Sequence, residues 1–387
     1  MKKFLCIIIA LCTLFLCGCW DSKDPSRLAM ITCVVMDIDD DNTYTVYTEL
    51  LDTMITEATE PPEGTKSFHK SVGKTFTDAI YESSNDFGRE LFGGVNKVRI
   101  FTQRYAERGF IDAIDFLLRE PYTDETPHLI IYKSDAGDTT NFFDTKPTMD
   151  TLYGTYFENL PLTQIKKTSE GGNIQILDFI KSYMTDGIQP VAGVVEVKSD
   201  ETDEKEKHFA YEGLAVFKED KLVGYLDKTQ TRAYNVITGK AKGFMQTIET
   251  DSGETVTVSV KKSKSDIKVR YENGKPTAQI DIEMKMTFVQ QPSTVNTDKF
   301  DAQHMFEDAF AQKFEQEFSQ TVTYVQNEYK SDIFGFGKTL MGSNYNTWLS
   351  LKPEWDDKYF PETDIKINVK CKLEHIGQIN RSLKEKE

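Results

Sequence analysis

TVTVSVKKSKSDIKVRYENGKPTAQIDIEMKMTFVQ, residues 255–290, decides the fold of the C-terminal half. Val256, Val258 and Val260 alternate with polar residues, as do Ile267, Val269 and Tyr271. After an Asn273-Gly274 turn the same period of two carries Ile280, Ile282, Met284, Met286 and Phe288. Side chains alternate faces along a strand, so this pattern predicts an antiparallel meander with one face buried and Asp281, Glu283 and Lys285 turned to solvent. A half-buried sheet needs a cover. The next strong signal is helical, roughly Lys299 to Lys330, with Phe306, Phe310, Phe314, Phe318, Val322, Val325 and Tyr329 on one stripe. We take that stripe as core packed on the sheet. A last alternating run, Ile365 to Leu373, is expected to close the sheet and to set Cys371 on its buried face.

Working toward the N-terminus, Leu214–Phe217 and Leu222–Leu226 read as a hairpin, and Thr229–Gly239 as a short helix. Before them Ser199–His208 is a charged run without apolar residues, the best boundary in the chain. The N-terminal half begins with apolar, β-branched strands at 28–38 and 43–51, joined by a DDDN turn. A polar stretch at 56–70 reads as a long loop. Helices near 72–91 and 105–121, strands at 97–102 and 128–133, and helices near 148–160 and 174–185 follow. This order suggests an α/β layer with crossover helices. The whole is therefore expected to be a multi-domain α+β protein. Residues 19–198 form a mixed α/β domain, 199–208 a charged linker, 209–380 a C-terminal meander packed on a long helix, and 381–387 a charged tail. Residues 209–245 belong to the C-terminal region or form a middle unit of their own.

Residues 1–18 carry Lys2, Lys3 and an apolar run from Phe4 to Leu16, too short to span a bilayer comfortably, and read as a secretory signal. The run ends in Leu16-Cys17-Gly18-Cys19, which resembles the lipobox of bacterial lipoproteins. That resemblance implies that Cys19 carries a diacylglyceryl group and an N-acyl chain and anchors the mature protein to a membrane. Two or more chains hold where one would not. The 387-residue chain has a net charge of −16. Such acidity argues against nucleic acid, which is gripped by cationic contacts, and against an extended electrostatic hold on anionic lipid. Of six cysteines only Cys33 and Cys371 fall in the folded part, and both are expected as buried free thiols.

No motif for chemistry stands out. The five histidines are scattered without metal-ligand spacing, and no nucleophile elbow is present. Asp37, Asp39 and Asp41 copy the opening of a calcium loop, but Asn42 replaces its glycine and Thr48 its bidentate Glu, so a solvated hairpin turn is expected. GFGKT at 335–339 imitates the end of a phosphate-binding loop, yet Asp332 stands where the first glycine is required. No catalytic residue, metal or cofactor is expected.

The C-terminal block is more specific. In Ser331–Gly377, Asp332, Phe334, Gly335, Phe336 and Gly337 form D-x-F-G-F-G; Trp348 follows, then Trp355, Asp356, Phe360 and Pro361 as W-D-x-x-F-P, and a strand leading to Gly377. This resembles the signature of the Ger(x)C family, the lipoprotein C subunits of spore germinant receptors. Gly213–Lys240 and the segment from Cys19-Trp20-Asp21 to Asp37 resemble two further family blocks. The resemblance implies a non-enzymatic, lipid-anchored subunit with a three-domain α+β fold. Such a subunit works with membrane-embedded A and B subunits in the spore inner membrane. Trp348, Trp355 and Phe360 are candidates for the partner surface. A solute-binding lipoprotein that captures a nutrient in a cleft between its halves is the rival expectation.

Overall fold

The computed structural model describes residues 24, 27–51, 68–85, 89–119, 126–134, 139–148, 152–200, 206–249, 253, 255–290 and 300–374. Cys19, the signal segment, Gly377 and the 381–387 tail lie outside them.

The first strands, β1 (Leu28–Ile38) and β2 (Tyr44–Leu51), form an antiparallel hairpin. Its turn is held by Asp39, whose Oδ1 accepts the N–H groups of Asp41 (3.0 Å) and Thr43 (2.8 Å), with Asn42 left-handed. β3 (Phe68–Gly73) pairs with β2 at the sheet edge, where the sequence suggested loop and helix. An edge strand needs little apolar patterning, which is why FHKSVG looked like a connection. α1 (Phe76–Asn85), β4 (Glu90–Phe92) and β5 (Val98–Thr102) follow. The helix expected over 105–121 is two, α2 (Gln103–Arg108) and α3 (Ile111–Arg119), broken at Gly109 with φ 97°. Then come β6 (His128–Tyr132), α4 (Thr140–Asp144), α5 (Tyr153–Lys167), α6 (Ile176–Tyr183) and β7 (Val191–Ser199).

β1, β5, β6 and β7 are parallel neighbours, and every residue of β5 and β6 is buried. Helices cover both faces, as parallel sheets require. On one face Phe101, Phe110, Phe179 and Phe217 interlock, Phe101 and Phe110 stacking at 4.3 Å. On the other, Phe142, Phe157 and Phe209 pack with Cys33 and Tyr132.

The sheet does not stop at the charged run. β8 (Lys207–Lys218) pairs antiparallel with β7, and β9 (Lys221–Leu226) with β8, so the N-terminal sheet has nine strands. The charged run thus begins and ends inside paired strands, Ser199 of β7 lying opposite Lys207 of β8, and the hairpin that follows belongs to the same sheet. A charged run free of apolar residues suits a solvated hairpin connection as well as it suits a linker. The next helix, α7 (Lys228–Ile237), turns away: its 231–237 segment is buried, and Ala233, Tyr234, Val236 and Ile237 join the C-terminal core.

That core is built on β10 (Phe244–Glu249), β11 (Thr255–Glu272) and β12 (Lys275–Gln290). α8 (Phe300–Tyr324) packs on their inner face, with Phe306, Phe310, Phe314 and Phe318 fully buried, each contributing about 2–3 kcal/mol by apolar burial. α9 (Phe336–Ser343) and α10 (Tyr345–Leu351) precede the last strand, β13 (Asp364–Leu373). β13 joins β12 in parallel, so the sheet is mixed instead of a pure meander. Its outer edge is covered by the helix: Glu315 Oε1 accepts the N–H of Val369 (2.9 Å) and Glu307 Oε1 that of Leu373 (2.8 Å).

Candidate functional site

The signature residues gather where the two sheets meet. α8 ends in a wide turn at Val325–Tyr329, closed by the left-handed Lys330. The chain then doubles back, and Asp332 is carried into the interior with no exposed surface. Its Oδ1 accepts the N–H groups of Gly335 (2.9 Å) and Phe336 (3.1 Å). Its Oδ2 accepts that of Gly337 (2.7 Å) and the indole N–H of Trp355 (3.0 Å). Three consecutive backbone donors at a helix start make the anion cradle that phosphate-binding loops use. Here the carboxylate of Asp332 occupies it, so GFGKT holds an internal anion. Burial pushes the Asp332 carboxyl up to about 7, against the pull of its N–H donors.

From Asp332 the network crosses to the N-terminal sheet. Its backbone N–H donates to Asp356 Oδ1 (3.1 Å), and its carbonyl accepts the N–H of Gln189 (2.8 Å). The Gln189 side chain donates to Asp356 Oδ2 (2.7 Å) and accepts from the Glu219 N–H (2.8 Å) at the β8–β9 turn. Burial raises the Asp356 carboxyl as well. Ser331 Oγ donates to the Phe217 carbonyl (2.6 Å), and the Tyr329 hydroxyl donates to the Tyr225 carbonyl (2.7 Å). The backbones themselves touch: a Cβ on Gly187 would sit 2.4 Å from the Gly337 carbonyl carbon, and the Lys338 N–H reaches the Gly187 carbonyl at 2.8 Å. Lysine bridges at the rim, Lys218–Asp357 and Lys352–Asp186, both 2.6 Å, complete the seam.

Trp348, Trp355 and Phe360 are therefore not a partner surface. They are 1 %, 2 % and 0 % exposed, and the two indoles pack edge to face at 5.3 Å. Trp355 donates to Asp332, Trp348 packs on Trp355, and the Phe360 ring lies 6.0 Å from that of Phe336. Sequence alone cannot distinguish an aromatic that walls a buried acid from one that awaits a partner.

A second buried cluster ties α7 to α8. Arg232 donates from Nη2 to both Glu317 oxygens (2.9 and 3.1 Å), reaches Glu170 at 3.3 Å, and lies 5.3 Å over the Phe244 ring. In the N-terminal unit, Glu49 plays the part that Asp332 plays in the other, accepting the N–H groups of Tyr153 (2.8 Å) and Gly154 (2.9 Å) at the start of α5. Asp37, the first acid of the would-be calcium loop, is instead buried against Arg104 and Thr102.

Among the described residues, no group of three or more His, Cys, Asp or Glu side chains is placed to hold a metal. Cys33 and Cys371 are free thiols; burial pushes Cys371 up to about 12 and raises Cys33 too. Neither has the setting of a nucleophile. Among the same residues no helix is long and apolar enough to cross a membrane. A groove of about 690 Å3 lies at the β13 edge, with Met284 and Ala311 among its apolar lining and Lys262, Lys285 and Lys372 among its charged residues.

Comparison with known proteins matches both halves. Residues 21–197 match the spore germination protein N-terminal domain, and residues 212–377 the spore germination B3/GerAC-like C-terminal domain. Spore germination protein B3 of Bacillus subtilis is 26 % identical over 382 residues, covering 95 % of this chain and 96 % of that protein. Spore germination protein KC of the same organism is 22 % identical, covering 99 % and 98 %. The crystal structure of the GerBC protein aligns with TM-score 0.52 and 20 % identity over 88 % of this chain and 96 % of that one, which shows the shared fold. The boundary between the two matched domains falls at 198–211, within the β7–β8 hairpin, although the sheet runs on across it.

Proposed function

From the premise that this chain belongs to the Ger(x)C family of spore germination proteins, we propose that it is the lipid-anchored C subunit of a nutrient germinant receptor. In this reading it assembles with integral-membrane A and B subunits on the outer side of the spore inner membrane. Cys19, diacylated and N-acylated, is its tether. The observation that carries the reading is the match of both halves to germination-protein domains, with the family signature forming the joint between them. A closed joint favours a scaffold over the rival solute-binding protein. A ligand cleft between the halves would need room where Gln189, Asp332 and Asp356 are hydrogen-bonded to one another.

The Asp332 network is spent on contacts between the two units, Gln189 and Ser331 included, which supports a role of holding surfaces in fixed relation.

Deleting the gene is expected to abolish or delay germination on one nutrient class while leaving spore formation intact. Crosslinking in membranes should recover A and B subunits with this chain. Normal germination in the deletion strain, or micromolar binding of amino acids or sugars by calorimetry, would overturn the assignment. Cys19→Ala is expected to release a folded protein from the membrane fraction.

A further inference from the structure

The outer face of the C-terminal sheet departs from the charge of the rest of the molecule. Cross-strand register places Lys262, Lys285 and Lys372 side by side in one row, and Lys264, Glu283 and Lys370 in the next. All six side chains are exposed. These six positions carry a net +4 in a chain of net −16. Directly opposed like charges destabilise a sheet, so folding alone gives no reason to set three lysines abreast. The patch is bounded by the next row, Asp266, Asp281 and Asn368.

From this geometry we infer that the two lysine rows form a docking face for the headgroups of an anionic lipid bilayer. Neighbouring strands lie about 4.8 Å apart and same-face residues about 7 Å apart along a strand, so the five lysines rise from closely spaced positions beside the β13 groove. Dense positive charge on flexible stems suits a surface of diffuse negative charge. The cations are all lysines, hydrated point charges on flexible stems, and not the planar forks that read individual carboxylates or phosphates. No aromatic or aliphatic side chain stands among the six, whereas a protein interface has an apolar, aromatic-rich core. Counter-charge stands at the border of the patch, where Glu307 and Asp308 of α8 line the adjoining groove. Lys285 is paired with Glu374 (2.6 Å), and Glu307, across the β13 edge, is held by the Leu373 N–H and His304. The acidic remainder of the protein does not cancel the effect, because salt screens charges beyond about 8 Å and only the presented face feels the surface. The inference deepens the membrane-anchored reading above, adding to the acyl tether a face that orients the domain.

The test uses the full-length chain and two vesicle types, phosphatidylcholine alone and phosphatidylcholine with about one-third phosphatidylglycerol. Partition into neutral vesicles reports the anchor; the ratio of anionic to neutral partition reports the lysine face. Each lysine at such a surface is worth roughly fivefold in partition. The unmodified chain should therefore prefer anionic vesicles, and the preference should fall steeply with salt. Lys262→Gln/Lys285→Gln/Lys372→Gln should bring the ratio close to one with neutral partition unchanged and melting temperature not lowered. Asp266→Asn, which removes an acid bordering the patch, should raise it severalfold. Equal partition of the unmodified chain, or a triple variant that keeps its preference, would overturn the inference. So would protection of these lysines from acetylation by an acidic protein in membrane extracts when vesicles give none. Weak partition into neutral vesicles with the ratio intact would instead count against the anchor alone.

Discussion

The C-terminal unit has two sides of opposite character. Around Asp332, a carboxylate without exposed surface accepts four N–H donors, and two tryptophans shut it in. On the outer sheet face, five lysines stand in two exposed rows. The residues that mark the family lie at the first place and those suited to meeting something else at the second. What is legible as a signature is here the joint, because a joint needs specific atoms at specific distances. A charged face needs only sign and density.

The contrast breaks most visibly at Asp332. Asp332→Ala strands three backbone N–H groups and an indole N–H in the interior, and should cost about 3–5 kcal/mol, read by urea unfolding. A loss under about 1 kcal/mol would show that the cradle opens to water.

The next effect is on pH. The Asp332 carboxyl titrates near 7 in the folded chain and at the ordinary 3.8 when unfolded. Between these values the folded state keeps a proton that the unfolded state has released. This group's stabilisation is thus complete below about pH 4 and is lost as pH rises toward 7, on the order of 4 kcal/mol in all. Asp332→Asn should flatten that part of the stability profile relative to the unmodified chain. An unchanged slope would place the titration elsewhere.

Smaller effects follow outward from the cradle. Gly337→Ala puts a Cβ 2.8 Å from Gly187 and from both indoles, and should cost about 1–3 kcal/mol through overpacking. Trp355→Phe keeps the wall and removes one donor, about 1–2 kcal/mol. On the other side of the comparison, the triple lysine-to-glutamine variant should shift stability by less than about 0.5 kcal/mol, and toward greater stability, since like charges no longer oppose one another. A large loss there would give the lysines a structural role.

Much of this fold is legible in the sequence. Period-two alternation fixed the buried face of β12 and β13, and the phenylalanine stripe of α8 is the core cover it was expected to be. The failures have physical causes. KKSKSD at 261–266 has no apolar residue and interrupts the alternation, yet Ser263 and Ser265 are small enough to sit half-buried in one continuous strand. Alternation does not encode direction, which hid the parallel pairing of β13. The charge run at 199–208 joins neighbouring strands, and charge alone does not separate that from a linker. At the site, the sequence marks Asp332 only as the residue that spoils a phosphate loop. Its actual work, filling that loop's cradle itself, depends on a long-range contact: Trp355, 23 residues away, folds back to donate to it.

Amide hydrogen exchange at Gly335, Phe336 and Gly337, followed across a denaturant series, tests the closed joint most directly. The account predicts that these three amides exchange only through global unfolding, with the free energy and denaturant slope of the whole C-terminal core. Exchange through a low-energy local opening, faster than that of the neighbouring core strands, would contradict it.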